Sequence, residues 1–189
     1  MKALDQFLKK HNVALTDLSL GKLQSILIRK TYSKESMILE YGQKCTDLYI
    51  IRTGMVRQFY YKDGRDISEH FACEQEMVFC IESLFLKEPT SLMIQALEDC
   101  EIYLLDYERF KELCDRFPDI NRLYRSIFES DLVVSQRKAD SWRFLSSKER
   151  YERFCEEYPE AMRRAPIAYI ATYLLMTPET LSRIRAGRS

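Results

Sequence analysis

The chain has 189 residues, with 29 Lys and Arg against 29 Asp and Glu, so its formal net charge is zero. That balance excludes a generally basic nucleic-acid coat protein and an acidic disordered tail. Hydrophobic residues make up 46% and Gly and Pro are only 5 each, a composition that folds around a core.

The start, Met1-Lys2-Ala3-Leu4-Asp5, has neither the apolar run nor the small-residue cleavage site of a secretory signal. The most apolar window, Ile167 to Met176, is far shorter than the roughly 20 residues that cross a bilayer. A cytoplasmic protein with no membrane contact is expected. Residues 1 to about 30 carry helical spacing through Leu4, Phe7, Leu8, Leu18, Leu20, Leu23, Ile26 and Leu27, with Thr16 or Asp17 placed to cap a second helix.

From Ser36 the pattern changes to short runs rich in Ile, Val, Tyr and Phe: 36–40, 47–52, 55–61, 66–72, 76–81, 92–98 and 101–106. Turn signals separate them at Tyr41-Gly42-Gln43, Thr53-Gly54 and Lys62-Asp63-Gly64-Arg65; the last is a tight-hairpin signal. Strands at this spacing predict an antiparallel barrel or sandwich.

Six cysteines (45, 73, 80, 100, 114 and 155) form no CxxC pair, and His11 and His70 are the only histidines. Zinc and iron–sulfur spacings are missing, so buried reduced thiols are expected and neither a metal nor a cofactor is. No phosphate loop, nucleophile elbow or HExxH motif is present and His70 stands alone on its strand, so no enzyme is expected.

After Asp106 the period is helical again. Tyr107 to Phe117 predicts a short helix that Pro118 ends. Residues 119–144 lack Gly and Pro, and Ile120, Leu123, Tyr124, Ile127, Phe128, Leu132 and Val134 recur mostly at three and four. A helix of this length, about 39 Å, outruns a small barrel, which favours a homodimer seam over burial against its own sheet. Lys148 to Glu157 forms a further helix, with Ser146 and Glu149 at capping-box spacing.

Helices at 167–174 and 178–186 follow, joined by a three-residue turn. Thr177 suits the N-cap and Pro178 the first helical position. Leu181 and Ile184 face Ile170, Ala171 and Leu174, leaving Glu179, Ser182, Arg183 and Ala186 outside. This is helix-turn-helix spacing, whose second helix enters a major groove. Arg183 can bond guanine O6 and N7, and Glu179 can accept from cytosine N4. Thr177, Thr180 and Ser182 offer hydroxyls to phosphates. Residues 161–189 hold five Arg, no Lys and one acid, a net +4 that the remainder offsets. On spacing alone an ordinary αα-hairpin with a solvated Arg face fits equally, and Leu175 stands where such turns commonly use Gly.

In this order of elements the chain resembles the CRP/FNR family of bacterial transcription regulators over nearly its full length. The motifs are Ile38-Leu39-Glu40-Tyr41-Gly42, Leu48-Tyr49-Ile50-Ile51-Arg52-Thr53-Gly54, and Ile170 to Ile184 with Glu179-Thr180 and Arg183-Ile184. The resemblance implies an α+β fold: an antiparallel β-roll (a double-stranded β-helix of the cyclic-nucleotide-binding type), flanking helices, a long dimerisation helix and a C-terminal helix-turn-helix. A sensor domain would span 1–117, the connecting helix 118–145 and the DNA-binding domain 146–189. It also implies double-stranded DNA as partner, read by Glu179 and Arg183 with Thr180 on phosphate; Thr177, Pro178, Ser182 and Arg185 complete the face. RNA polymerase and an unidentified small effector are further candidate partners.

The pocket departs from that family. Its nucleotide binders place a Glu on the ribose and an Arg on the cyclic phosphate, and aligned on Leu84-Phe85 those positions hold Ile81 and Ser91. No Arg occurs from 66 to 108, and Lys87 is the one Lys there. A buried phosphate without a cation is strongly disfavoured, so no usual cyclic AMP response is expected. Glu82, Ser83, Thr90 and Ser91 remain as a candidate pocket for another effector, or as a plain structural corner. The sequence ends at Ser189 without the family's β-wing, so outer DNA contacts are expected from Arg163, Arg164, Arg185 and Arg188 or the partner subunit. The competing reading is a β-roll that binds a small molecule or a protein and no DNA.

Overall fold

Two helices open the fold in the computed structural model, which describes residues 2–187: α1 (Lys2–Lys10) and α2 (Asp17–Ser25). Thr16 caps α2, its hydroxyl accepting the Ser19 N–H at 3.2 Å. Buried Asp119 accepts from the Thr16 N–H at 2.9 Å and the Ser19 hydroxyl at 2.7 Å, tying this start to the long helix.

Eight strands follow: β1 (Leu27–Tyr32), β2 (Met37–Leu39), β3 (Asp47–Thr53), β4 (Val56–Lys62), β5 (Arg65–Ala72), β6 (Met77–Val78), β7 (Met93–Ala96) and β8 (Cys100–Asp106), with α3 (Ile81–Leu86) between β6 and β7. They pair antiparallel in two four-stranded sheets, β1-β8-β3-β6 and β2-β7-β4-β5. Leu48, Ile50, Ile51, Val56, Ile94 and Ile102, all nearly solvent-free, form the centre of the main core, the β-roll expected from the sequence.

The turn chemistry is as read. Asp63 and Gly64 take φ of 51° and 73°, the pair of positive angles that a tight hairpin between β4 and β5 demands. Gly54 has φ 89°, and a Cβ there would lie 2.7 Å from both the Asp99 carbonyl oxygen and Cys100 Sγ.

Three elements differ from the sequence reading. Leu27–Tyr32 is a strand, because pairing along all of β8 completes a sheet and overrides a weak helical spacing. The 76–81 run is a two-residue strand leading into α3. A further helix, α7 (Pro159–Arg164), begins at Pro159 as its first helical residue, where the missing N–H costs nothing.

The helical half comprises α4 (Tyr107–Arg116), α5 (Pro118–Phe144), α6 (Ser147–Glu157), α7, α8 (Ile167–Tyr173) and α9 (Pro178–Arg185). The capping box at Ser146 and Glu149 forms with both reciprocal bonds. No helix of the described residues is long and apolar enough to cross a membrane.

Substituting Gly54→Ala combines a disfavoured positive φ with overlap against backbone. Urea unfolding is expected to show a loss of at least about 2 kcal/mol, and an unchanged midpoint would refute this account of the turn.

Candidate nucleic-acid interface and effector cleft

α8 and α9 meet through small and branched side chains. Ile170, Ala171, Leu174 and Leu181 are buried, and Ile184 is partly so. Thr177 caps α9, its hydroxyl accepting the Thr180 N–H at 3.2 Å, and Pro178 is the first helical residue. Leu175 takes the left-handed conformation at φ 54°, so the turn has the shape that usually calls for Gly, held here by a half-exposed Leu.

On α9 the face away from α8 is uncovered. Glu179, Ser182, Arg183 and Arg185 are exposed, as are Thr177 and Pro178, and Thr180 is partly so. Arg183 Nη2 donates to Thr180 Oγ1 at 3.4 Å, a long bond that leaves the guanidinium available. The Glu179 carboxyl is held below its ordinary range by its own backbone N–H, by Thr177 and by the charge of Arg183, so it is ionised and purely an acceptor at neutral pH. Arg188 lies outside the described residues.

The module is seated on β5. A second core joins Met55, Phe71, Cys73 and Leu97 of the roll to Phe154, Ala161, Ile170, Ala171, Tyr173, Leu174 and Leu181 of the helices. Thr172 Oγ1 accepts the Ser68 backbone N–H at 3.1 Å. Arg57, 2% exposed, donates twice to Asp66 at 2.6 Å and lies between the Phe59 and Tyr169 rings, 4.0 and 3.5 Å from their centroids. The register of β4 and β5 shifts at Glu69, and this bulge hands both the Glu69 carbonyl and carboxylate to Lys138 of α5.

Arg164 is a clamp rather than a DNA contact. It bonds Glu74 (2.8 Å) and Glu98 (2.5 Å) of the roll and Glu160 of its own helix (3.3 Å). The expectation of a phosphate-binding Arg164 is therefore corrected: three carboxylates already hold its guanidinium. Arg163 pairs with Glu160 at the surface and stays 71% exposed. Arg150 donates to the Leu174 and Leu145 carbonyls at 3.0 and 2.9 Å, closing the ends of α8 and α5.

The four candidate pocket residues are not brought together. Ser83 is buried, accepting the Cys45 N–H at 2.9 Å and donating to the Glu88 carbonyl at 2.5 Å. Thr90 is buried and accepts the Leu92 N–H, while Glu82 and Ser91 are exposed. The larger space lies elsewhere, between the roll and α5. A cavity of ≈ 360 Å³ and a neighbour of ≈ 120 Å³ share His70, Met77, Phe79, Asp131 and Val134. Burial lowers the His70 imidazole to about 4 and raises the Asp131 carboxyl. His70 is not alone, as its Nδ1 meets the Tyr158 hydroxyl at 3.2 Å. Of the cations at the cleft, Lys10 and Lys138 are paired with Glu76 and Glu69.

The long helix divides its apolar seam. Ile120, Leu123 and Ile127 are buried against the chain's own roll, with Tyr124 and Phe128 packed beside them. Beyond them Leu132, Val133 and Val134 are 69%, 49% and 38% exposed, an apolar stretch left for a partner, and Phe144 at the end of the helix is exposed as well. Among the described residues no cluster of His, Cys, Asp and Glu could hold a metal ion.

Arg57, Lys138 and Arg150 escaped sequence reading, and Arg164 was given to DNA, because the partners that hold them lie mainly on other elements. The acids of the roll were visible as an excess, but nothing local paired them with particular cations.

Residues 29–117 match the family described as the cyclic nucleotide-binding domain. No curated protein sequence matches the chain. Among solved structures, FixK2 from Bradyrhizobium japonicum superposes with a TM-score of 0.73 at 19% identity, over 86% of this chain and 84% of that one. The c-di-GMP responsive global regulator CLP of Xanthomonas campestris gives 0.70 at 18% identity, over 91% of each chain. The catabolite activator protein of Thermus thermophilus gives 0.57 at 22% identity, over 92% of this chain and 84% of that one.

Arg164→Ala should destabilise the seat of the module by roughly 2 kcal/mol. Burial alone would raise the Glu74 carboxyl, but bonds from Arg164 and the Gly54 N–H outweigh it and hold the carboxyl below its ordinary value. The clamp's contribution is then full at neutral pH and is lost as pH falls through that lowered value. Thermal melts of the two proteins should converge in acid; a gap that widens there would reject the clamp.

Proposed function

We propose that this chain, which carries the cyclic nucleotide-binding domain over 29–117 and the fold of the CRP/FNR transcription regulators, is itself a DNA-binding transcription regulator of that type. It works in the cytoplasm as a homodimer on a roughly palindromic site. The carrying observation is α9, whose inner side is buried on α8 while Glu179, Ser182, Arg183 and Arg185 stand uncovered on the other.

Readout follows from the side chains. Arg183 swings from its long bond to Thr180 and donates two N–H groups to guanine O6 and N7, while ionised Glu179 accepts from a cytosine N4 amine. The hydroxyls of Thr177, Thr180 and Ser182 and the Arg185 guanidinium bind flanking phosphates, which set register without reading sequence. One short helix offers a small interface, so a second copy is needed. Leu132, Val133 and Val134 supply an unpartnered apolar stretch for it, and two recognition helices about 34 Å apart meet successive major grooves. RNA polymerase is the further partner that a regulator of this type would engage.

The effector is not cyclic AMP bound in the usual way. Glu69 and Asp131 border the ≈ 120 Å³ space beside α5, and its Lys138 already serves Glu69. A phosphate there would face two carboxylates without a free buried cation. An effector of this smaller space is uncharged or cationic, while the ≈ 360 Å³ cavity beside it also has Arg137 on its wall. Calorimetric titration should find no cyclic AMP binding at micromolar concentration, and binding at that level would overturn this part of the proposal.

The competing reading, a roll that binds a small molecule or a protein without DNA, draws on the firm seat of the module through Arg57, Arg164 and Lys138. Selection from random duplex DNA separates the two. The regulator should enrich two half-sites one helical turn apart, and Arg183→Ala should lose about 1–3 kcal/mol of discrimination at one base position per half-site. Failure to enrich any sequence favours the DNA-free module.

A further inference from the structure

Cys45 lies in the connection before β3, and Cys80 is the cap of α3, so 35 residues separate them in sequence. Both are buried, 3% and 1% exposed. The Cys80 backbone N–H donates to Cys45 Sγ at 3.4 Å, which sets the two residues against each other. Cys80 Sγ accepts from Gln58 Nε2 at 3.2 Å. An amide N–H aimed at the sulfur favours its thiolate.

The remaining buried cysteines lack this setting. Burial raises the Cys73, Cys100 and Cys114 thiols, and no second sulfur acts on any of them. In the Cys45–Cys80 pair the first proton leaves more readily, because the remaining S–H donates to the sulfur that lost it; Cys80 is lowered to about 7 and Cys45 is raised. Access is also built in. Cys45 lines a surface cavity of ≈ 240 Å³ together with Lys44, Ser83, Leu84, Lys87 and Tyr107, which brings a small solute up to this residue in the folded chain.

We propose that Cys45 and Cys80 form a dithiol–disulfide couple that a hydroperoxide oxidises through this cavity. Cys80, the thiol that ionises first, acts as the base, and its thiolate takes the proton of the Cys45 thiol, the sulfur beside the cavity. That sulfur attacks one peroxide oxygen; the O–O bond breaks, and the departing hydroxide takes up a proton to leave as water. Cys45 is now a sulfenic acid. Cys80 gives up its proton and attacks the Cys45 sulfur, the S–S bond forms, and the S–O bond breaks to release a second water. Two thiols lose two electrons, one hydrogen peroxide gains them, and the products are a disulfide and two waters. The bond also costs the Gln58 amide a thiolate acceptor, and Gln58 borders the smaller cavity beside α5. The couple does not depend on whether α9 reads DNA.

The test is thiol mapping of the full-length protein at neutral pH after a small excess of hydrogen peroxide, followed by alkylation and proteolysis. The expected result is one dominant cross-link, Cys45 to Cys80, reversed by dithiothreitol, with Cys73, Cys100 and Cys114 still free. Cys80→Ser and Cys45→Ser should each abolish the cross-link, and Cys45→Ser should slow loss of the Cys80 thiol by more than about tenfold. Should either variant misfold, the wild-type map decides alone. Peroxide that leaves both thiols alkylatable, or that links other cysteines as often, overturns the couple.

Discussion

Phe71 of β5, fully buried, meets Phe154 at 6.0 Å and Tyr173 at 5.8 Å between ring centroids, and the placement of everything C-terminal rests on that contact. Some forty residues of short helices cannot exclude enough water from a core of their own. Here the roll supplies the missing wall, with Met55, Phe71, Cys73 and Leu97 completing what Phe154, Ile170, Ala171, Tyr173, Leu174 and Leu181 begin. The orientation of α9 is therefore a property of the whole chain. Whatever shifts β5 or the start of β4 shifts the reading face with it.

Polar contacts at the same seam fix direction rather than supply most of the energy. Arg57 stacks and hydrogen-bonds at once, so its planar guanidinium defines where Tyr169 can lie over sheet β2-β7-β4-β5. Arg164 draws Glu74 and Glu98 of the roll toward α7. Lys138 links α5 to the bulge at Glu69 and also stacks on Trp142 and Tyr173. These cations are consumed internally. The net +4 counted over 161–189 therefore overstates the basic surface available, because Arg164 has left it for the roll's excess acid.

Much of the fold was legible because its signals are local. The Asp63-Gly64 hairpin, the Ser146–Glu149 box, the Thr177-Pro178 start and the alternation of the central strands each depend on a few neighbouring residues. The misreadings share a cause in long-range pairing. Leu27–Tyr32 becomes a strand only because β8 lies beside it, and the helical periodicity of Ile120 to Phe128 could not say whether its partner was a second copy or its own roll. The exposed face of α9 could be drawn from helical spacing. The effector cleft could not, since its walls come from α1, β5, β6 and α5, and the residues a motif alignment singled out lie elsewhere or are spent on internal bonds.

The bond from the Ser68 N–H to Thr172 also has a protective side. β5 is an outer strand of its sheet, paired with β4 alone, and an uncovered outer strand is a template on which another chain can build. With α8 laid along it, that border is closed. A chain truncated before Ile167 would keep its roll and yet bare this strand together with the side of Phe71 that Tyr173 covers. The terminal helices thus act as the roll's own chaperone, and solubility and orientation are maintained by the same contact.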